Sequence, residues 1–139
     1  MTSKEAREEL KRIRQYQNKI AERKQRLSQL RSTMITIRTS SFDVPVVGGS
    51  PANGCRLENL IDRASKLENQ IYVDIVSMEE EKQRLCVQIE KLPEPYCSVL
   101  TRRYVGLQRF EKIAVDLNYT YEWVRHLDGI GVKKFADLQ

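Results

Sequence analysis

Glycine and proline are scarce in this 139-residue chain, six and four respectively. So few turn formers argue against many short strands and tight turns, and for long helices. Aromatic residues make up only 7% and charged residues 31%, which excludes a large globular core. There is one histidine, His126, and three cysteines, Cys55, Cys86 and Cys97. No pair of them has metal-ligand spacing, so no metal site is expected. An odd cysteine count without a secretory leader points to reduced thiols in the cytoplasm. No apolar run approaches the roughly 20 residues of a membrane span, so no membrane contact is expected. No Ser-His-Asp set and no paired carboxylates in one plausible pocket are visible. Neither an enzymatic activity nor a cofactor is expected.

What the chain does have is a net charge of +5, unevenly spread. Residues 1–38 hold eleven Lys and Arg against four Glu, residues 39–92 six basic against nine acidic, and residues 93–139 seven basic against six acidic. A basic excess suits nucleic acid or another polyanion. Long solvated helices also carry many Lys and Arg for no such reason, so charge alone does not decide.

Ile13, Ile20, Leu27 and Met34 recur every seven residues. Tyr16, Leu30 and Ile37 fill the positions three further on, and only Arg23 interrupts that second row. This heptad pattern predicts a long amphipathic helix that needs a partner helix. Thr2 or Ser3 can cap its start, with Glu5 and Glu8 in or near the first turn. A second long helix is expected from about Arg56 to Lys91, because Leu57, Ala64, Ile71, Met78, Leu85 and Leu92 repeat in sevens without a gap. Its companion row shifts from Leu60 and Leu67 to Ile75 and Ile89, the drift expected when 3.6 residues per turn are read in sevens. Between the helices, residues 39–55 read as a flexible connection, with Val44-Pro45 and the run from Gly48 to Gly54 as breakers. Gly48-Gly49-Ser50 lacks the Lys-Ser/Thr ending and the preceding strand of a phosphate-binding loop. The two arms pair either as an antiparallel hairpin within one chain or as a coiled coil between two, which would make a homodimer.

Leu92-Pro93-Glu94-Pro95 breaks the second helix and marks the start of a C-terminal module, residues 92–139. A support helix is expected from Tyr96 to Val105, ended by Gly106. Another, Arg109 to Leu117, turns Phe110, Ile113, Ala114 and Leu117 to one face. Asn118-Tyr119 makes a tight turn in which asparagine tolerates the left-handed conformation. Thr120 then caps a third helix, residues 120–134, with Val124, Leu127 and Phe135 buried. That spacing is a helix-turn-helix, whose last helix lies in the major groove of duplex DNA. Tyr121, Glu122, Arg125 and His126 are the candidate base contacts, with Arg125 suited to guanine and Glu122 to a cytosine amino group. Arg102, Arg103, Arg109, Lys112, Thr120, Lys133 and Lys134 are the candidate phosphate contacts. Trp123 is expected to pack against the support helix, and Tyr104 to lie in the core.

The stretch Leu92-Pro93-Glu94-Pro95, Leu100, Arg103-Tyr104-Val105, Glu111-Lys112-Ile113-Ala114, Leu117-Asn118-Tyr119-Thr120 and Trp123-Val124-Arg125-His126-Leu127 resembles region 4 of bacterial sigma factors. It resembles more closely small phage and prophage proteins with a sigma-region-4-like C-terminus, the late-gene activators of the ArpU and RinA kind. Such proteins combine a helical N-terminal part, a Gly/Ser-rich interruption and a second helix with this module. The resemblance implies promoter DNA contacts through Tyr121, Glu122, Arg125 and His126; RNA polymerase is a further candidate partner, and the cytoplasm of a bacterial host the expected setting. Gly129 and Gly131 depart from the family pattern, where Ala or another helix former is usual. Two glycines in one turn cost roughly 1–2 kcal/mol of helix stability. The third helix is therefore expected to kink or fray beyond Asp128, which weakens Lys133 and Lys134 as fixed phosphate contacts. Nothing resembles the sigma region that reads the −10 element.

The expected fold is therefore all-α: a long antiparallel helical hairpin or coiled coil over residues 1–91, followed by a three-helix helix-turn-helix unit. The expected function is sequence-specific DNA binding in phage or prophage gene regulation. Two alternatives remain: a small-terminase-like packaging protein, and a helical interaction module that contacts RNA polymerase.

Overall fold

A computed structural model describes residues 1–43 and 51–139. Every regular element among them is helical: α1 (Ser3–Leu10), α2 (Arg12–Asp43), α3 (Pro51–Ile89), α4 (Tyr96–Leu100), α5 (Phe110–Leu117) and α6 (Tyr121–Asp137). A single π-helical stretch, Thr101–Val105, continues α4. The two long helices extend further toward each other than the breakers in residues 39–55 suggest, to Asp43 on one side and from Pro51 on the other. The Val44-Pro45 and Gly48-Gly49-Ser50 breakers lie outside the described residues. No helix among the described residues is long and apolar enough to cross a membrane.

The described chain forms two compact units, residues 1–17 with 77–139, and residues 18–76. The first begins with a full capping box. The Thr2 hydroxyl accepts from the Glu5 N–H, and the Glu5 carboxylate accepts from the Thr2 N–H. Ala6, Leu10 and Ile13 follow at helical spacing and are completely buried. They share one core with Leu85, Ile89, Leu92, Leu100, Tyr104, Val132 and Phe135. Each fully buried Leu, Ile or Phe contributes roughly 1.5–3 kcal/mol to such a core. The C-terminal helices that follow Leu92 do not pack alone. The start of the chain and the end of α3 share their core. Around it, Arg84 pairs with Glu9 at 2.6 Å and with Glu81. The hydrogen bond from Arg84 holds the Glu81 carboxyl below its ordinary value against the opposing effect of burial.

In the second unit α2 and α3 run antiparallel. Arg23 pairs with Asp74 and Arg31 with Glu68, so residue numbers rise along one helix as they fall along the other. Ile20, Leu27, Ala64, Leu67 and Ile71 line the seam. Arg23, which breaks the apolar row of α2, proves to meet the buried Asp74 carboxylate. A charge pair at a seam position favours the one alignment in which both partners meet.

Candidate nucleic-acid interface

Helix α5 ends at Asn118, whose backbone is left-handed, φ 59° and ψ 40°. Asparagine takes this conformation at little cost because its short polar side chain bonds locally. The Asn118 N–H bonds back to the carbonyls of Ala114 and Val115, and the Tyr119 N–H to Ala114, so the turn closes tightly. Thr120 is extended, and its hydroxyl accepts from the Trp123 N–H at 3.2 Å. This cap starts α6 two residues after the left-handed turn.

The turn holds α5 and α6 over a small core of Val99, Ile113, Ala114, Val124 and Leu127, with Tyr96, Phe110 and Leu117 at its edge. Ala114 and Val124 are both buried, one small where the helices approach and one filling their junction. The Phe110 and Tyr121 rings meet edge to face at 6.3 Å, tying the first residue of α6 to the first of α5.

Burial of Val124 and Leu127 turns the first two turns of α6 outward on their other side. Tyr121, Glu122, Arg125 and His126 are all exposed there. The Arg125 guanidinium lies 5.8 Å from the Tyr121 ring centroid. Glu122, His126, Gly129 and Lys133 follow at intervals of four, three and four residues and so form one strip along α6.

Trp123 differs from its expected place. It is 46% exposed and lies against the His126 ring, 5.3 Å away and tilted by 31°, rather than within the core. Taken at 100° per residue, the buried arc of α6 ends at Leu127, and Trp123 falls just beyond it. The spacing of Val124, Leu127, Gly131 and Phe135 was the signal for this outward place.

The candidate phosphate contacts divide by what already occupies them. Arg109, which precedes α5 with an extended backbone, and Lys112 in its first turn are exposed. Lys133 is exposed on the strip described above. The Thr120 oxygen is used by the cap, which leaves its hydrogen to donate. Lys134 lies over the Tyr96 ring at 5.3 Å. Arg102 pairs with Asp116 at 3.4 Å. Arg103 is turned inward: its guanidinium lies 4.1 Å above the Phe110 ring and donates to the Gln108 carbonyl at 3.0 Å. It therefore braces the start of α5.

The kink expected beyond Asp128 does not occur, because α6 is one helix to Asp137. Gly131 is buried where a Cβ would stand 3.2 Å from Leu100 Cγ, so the glycine lets α4 and α6 approach. Gly129 faces open space. Behind this part of α6, Asp128 is only 3% exposed, and its carboxylate accepts from Arg7 of α1 at 3.3 Å. The same Arg7 nitrogen donates to the Tyr104 hydroxyl at 3.3 Å. Lys133 and Lys134 thus stand on an ordered helix that α1 supports from behind.

Among the described residues no cluster of three or more His, Cys, Asp or Glu is placed to hold a metal ion. No protein-family model, curated protein or solved structure matches this chain.

Proposed function

We propose that residues 110–137 act as a helix-turn-helix that binds duplex DNA in a sequence-specific way, with α6 in the major groove. The observation that carries this reading is the pairing of the left-handed Asn118 with the Thr120 cap. It buries Val124 and Leu127 while leaving Tyr121, Glu122, Arg125 and His126 exposed on the two turns that such units present to base edges. Arg125 reads guanine and Glu122 accepts from cytosine; Arg109, Lys112 and Lys133 position the unit on phosphates. The resemblance to sigma region 4 and to the ArpU and RinA activators adds the setting: regulation of phage or prophage genes in a bacterial cytoplasm, with polymerase nearby.

Selection of bound duplexes from a random pool, followed by titration against salt, tests the reading. A specific sequence is expected, bound about a thousandfold or more above random duplex. The affinity falls with salt by a slope of about −0.9 per phosphate neutralised. Arg125→Ala is expected to cost about 1–3 kcal/mol and to relax the preference at one position. An absent salt slope, or an Arg125→Ala protein with unchanged binding, overturns the assignment.

One observation favours a second reading. The exposed Trp123–His126 pair is the kind of aromatic surface that anchors protein contacts. If polymerase capture is lost in Trp123→Ala while duplex binding was never present, the module is a protein-interaction unit. A small-terminase-like packaging role predicts a ring of many subunits, which mass measurement distinguishes.

A further inference from the structure

Within the unit of residues 1–17 and 77–139, the junction of α1 and α2 sorts its charges by side. Toward α3 opposite charges meet: Arg84 pairs with Glu9, and Arg12 with Glu81 at 3.7 Å. On another face Lys4, Arg7, Lys11 and Arg14 follow at intervals of three, four and three residues, a basic stripe. Of the carboxylates of α1, Glu5 closes the capping box and Glu9 is taken by Arg84, while Glu8 stands exposed at the edge of the stripe.

Arg7 turns to Asp128 of α6. Lys11 and Arg14 are exposed and have no ion-pair partner among the described residues. They line a cleft with Arg103, whose walls are Leu10, Leu107 and the Tyr104 ring. Arg103 is held there by the Phe110 ring and the Gln108 carbonyl, neither of which cancels its charge. A cleft lined by one sign of charge, with walls of low dielectric, concentrates the field and draws the opposite ion.

Two contacts set this cleft beside the first turns of α6. The Arg103 guanidinium is 4.1 Å from the Phe110 ring, which meets the Tyr121 ring at 6.3 Å. The cleft therefore begins within one major-groove width, about 12 Å, of Tyr121. Arg7, on the same stripe as Lys11 and Arg14, touches Asp128, three residues from Arg125. Phosphates line both edges of a major groove, so a helix lying in the groove brings its flanks to them.

We propose that Lys11 and Arg14, at the cleft they form with Arg103, hold backbone phosphates of the duplex that α6 reads. The inference rests on duplex binding by α6. It extends the phosphate-contacting surface from the C-terminal helices to the start of the chain.

Salt titration of the full chain on its selected duplex and on a random duplex tests it. Lys11→Gln and Arg14→Gln are each expected to weaken both duplexes alike, by roughly three- to tenfold, and to make the salt slope shallower by about 1. Both side chains are exposed, so helicity and Tm are expected to stay at wild-type values. Lys11→Arg and Arg14→Lys are expected to keep the wild-type slope. Arg12→Gln, which removes a cation of the same segment on the Glu81 side, is expected to keep it as well. Unchanged slopes in both glutamine variants, a loss confined to the selected sequence, an equal loss in the charge-preserving variants, or the same loss in Arg12→Gln overturns this inference and leaves the reading of α6 standing. A wild-type chain that binds no duplex overturns both.

Discussion

The guanidinium of Arg7 donates to the carboxylate of Asp128 at 3.3 Å, so a side chain from the first helix satisfies the middle of the last one. Asp128 is nearly inaccessible; among the described residues its second oxygen has no hydrogen-bond partner, and Arg7 is its one ion-pair partner. Arg7→Met is expected to destabilise the protein by about 1–3 kcal/mol, the cost of a buried acceptor left alone. Replacing both residues, Arg7→Met with Asp128→Leu, is expected to recover most of that loss. Urea unfolding of the single and double variants measures the difference. Equal losses in both would mean that packing, not charge, is at stake.

Alkaline conditions should act through the third member of this cluster. Burial, and next the negative charge of Asp128, raise the Tyr104 hydroxyl well above the ordinary 10.0. The folded chain keeps a proton there that the unfolded chain releases. The associated stability is fully present below pH 10 and is lost as the pH rises above it. Unfolding free energies between about pH 9 and about pH 11 are expected to fall more steeply for the wild type than for Tyr104→Phe. Parallel curves would assign the alkaline loss to other groups.

The two glycines of α6 should respond oppositely to the same change. An added Cβ at Gly129 meets nothing within 4 Å, so Gly129→Ala is expected to stabilise by about 0.5–1 kcal/mol through helix propensity alone. At Gly131 the Cβ presses on the fully buried Leu100, and the propensity gain is expected to be cancelled or reversed. Thermal melts decide this. A Gly131→Ala protein as stable as Gly129→Ala would show that Leu100 moves aside freely.

Trp123 is the only tryptophan, and therefore a direct reporter of the outer face of α6. In the free protein its emission is expected to be that of a half-exposed indole, quenched by iodide. Duplex binding is expected to protect it, while Trp123→Phe leaves overall stability nearly unchanged. A blue-shifted, unquenchable emission in the free protein would return Trp123 to the core.

Much of the local structure was legible in the residues. The heptads centred on Ile20 and Ala64 announced two long helices, because a stripe with a period near 3.5 can be buried only against another helix. Asn118 and Thr120 announced the turn before α6, because left-handed backbone and capping are properties of single residues. The four candidate base contacts followed from that cap, as the exposed positions of the first two turns.

What the residues alone did not show depends on partners far away along the chain. Arg23 looked like a flaw in an apolar row until Asp74, 51 positions on, proved to meet it. The glycines of α6 looked like helix breakers, yet Gly131 lies against Leu100 and the helix continues. Arg103 looked like a free cation and instead covers Phe110. Above all, Ala6 and Leu10 gave no sign that they complete the core beneath the C-terminal helices, or that Arg7 answers Asp128. The sequence by itself determined the helices, their caps and the exposed face of α6, since these follow from local periodicity and backbone preference. Only the tertiary structure decided which of those helices share a core and which charges are already spent, because burial and pairing belong to residues that meet in space and not in sequence.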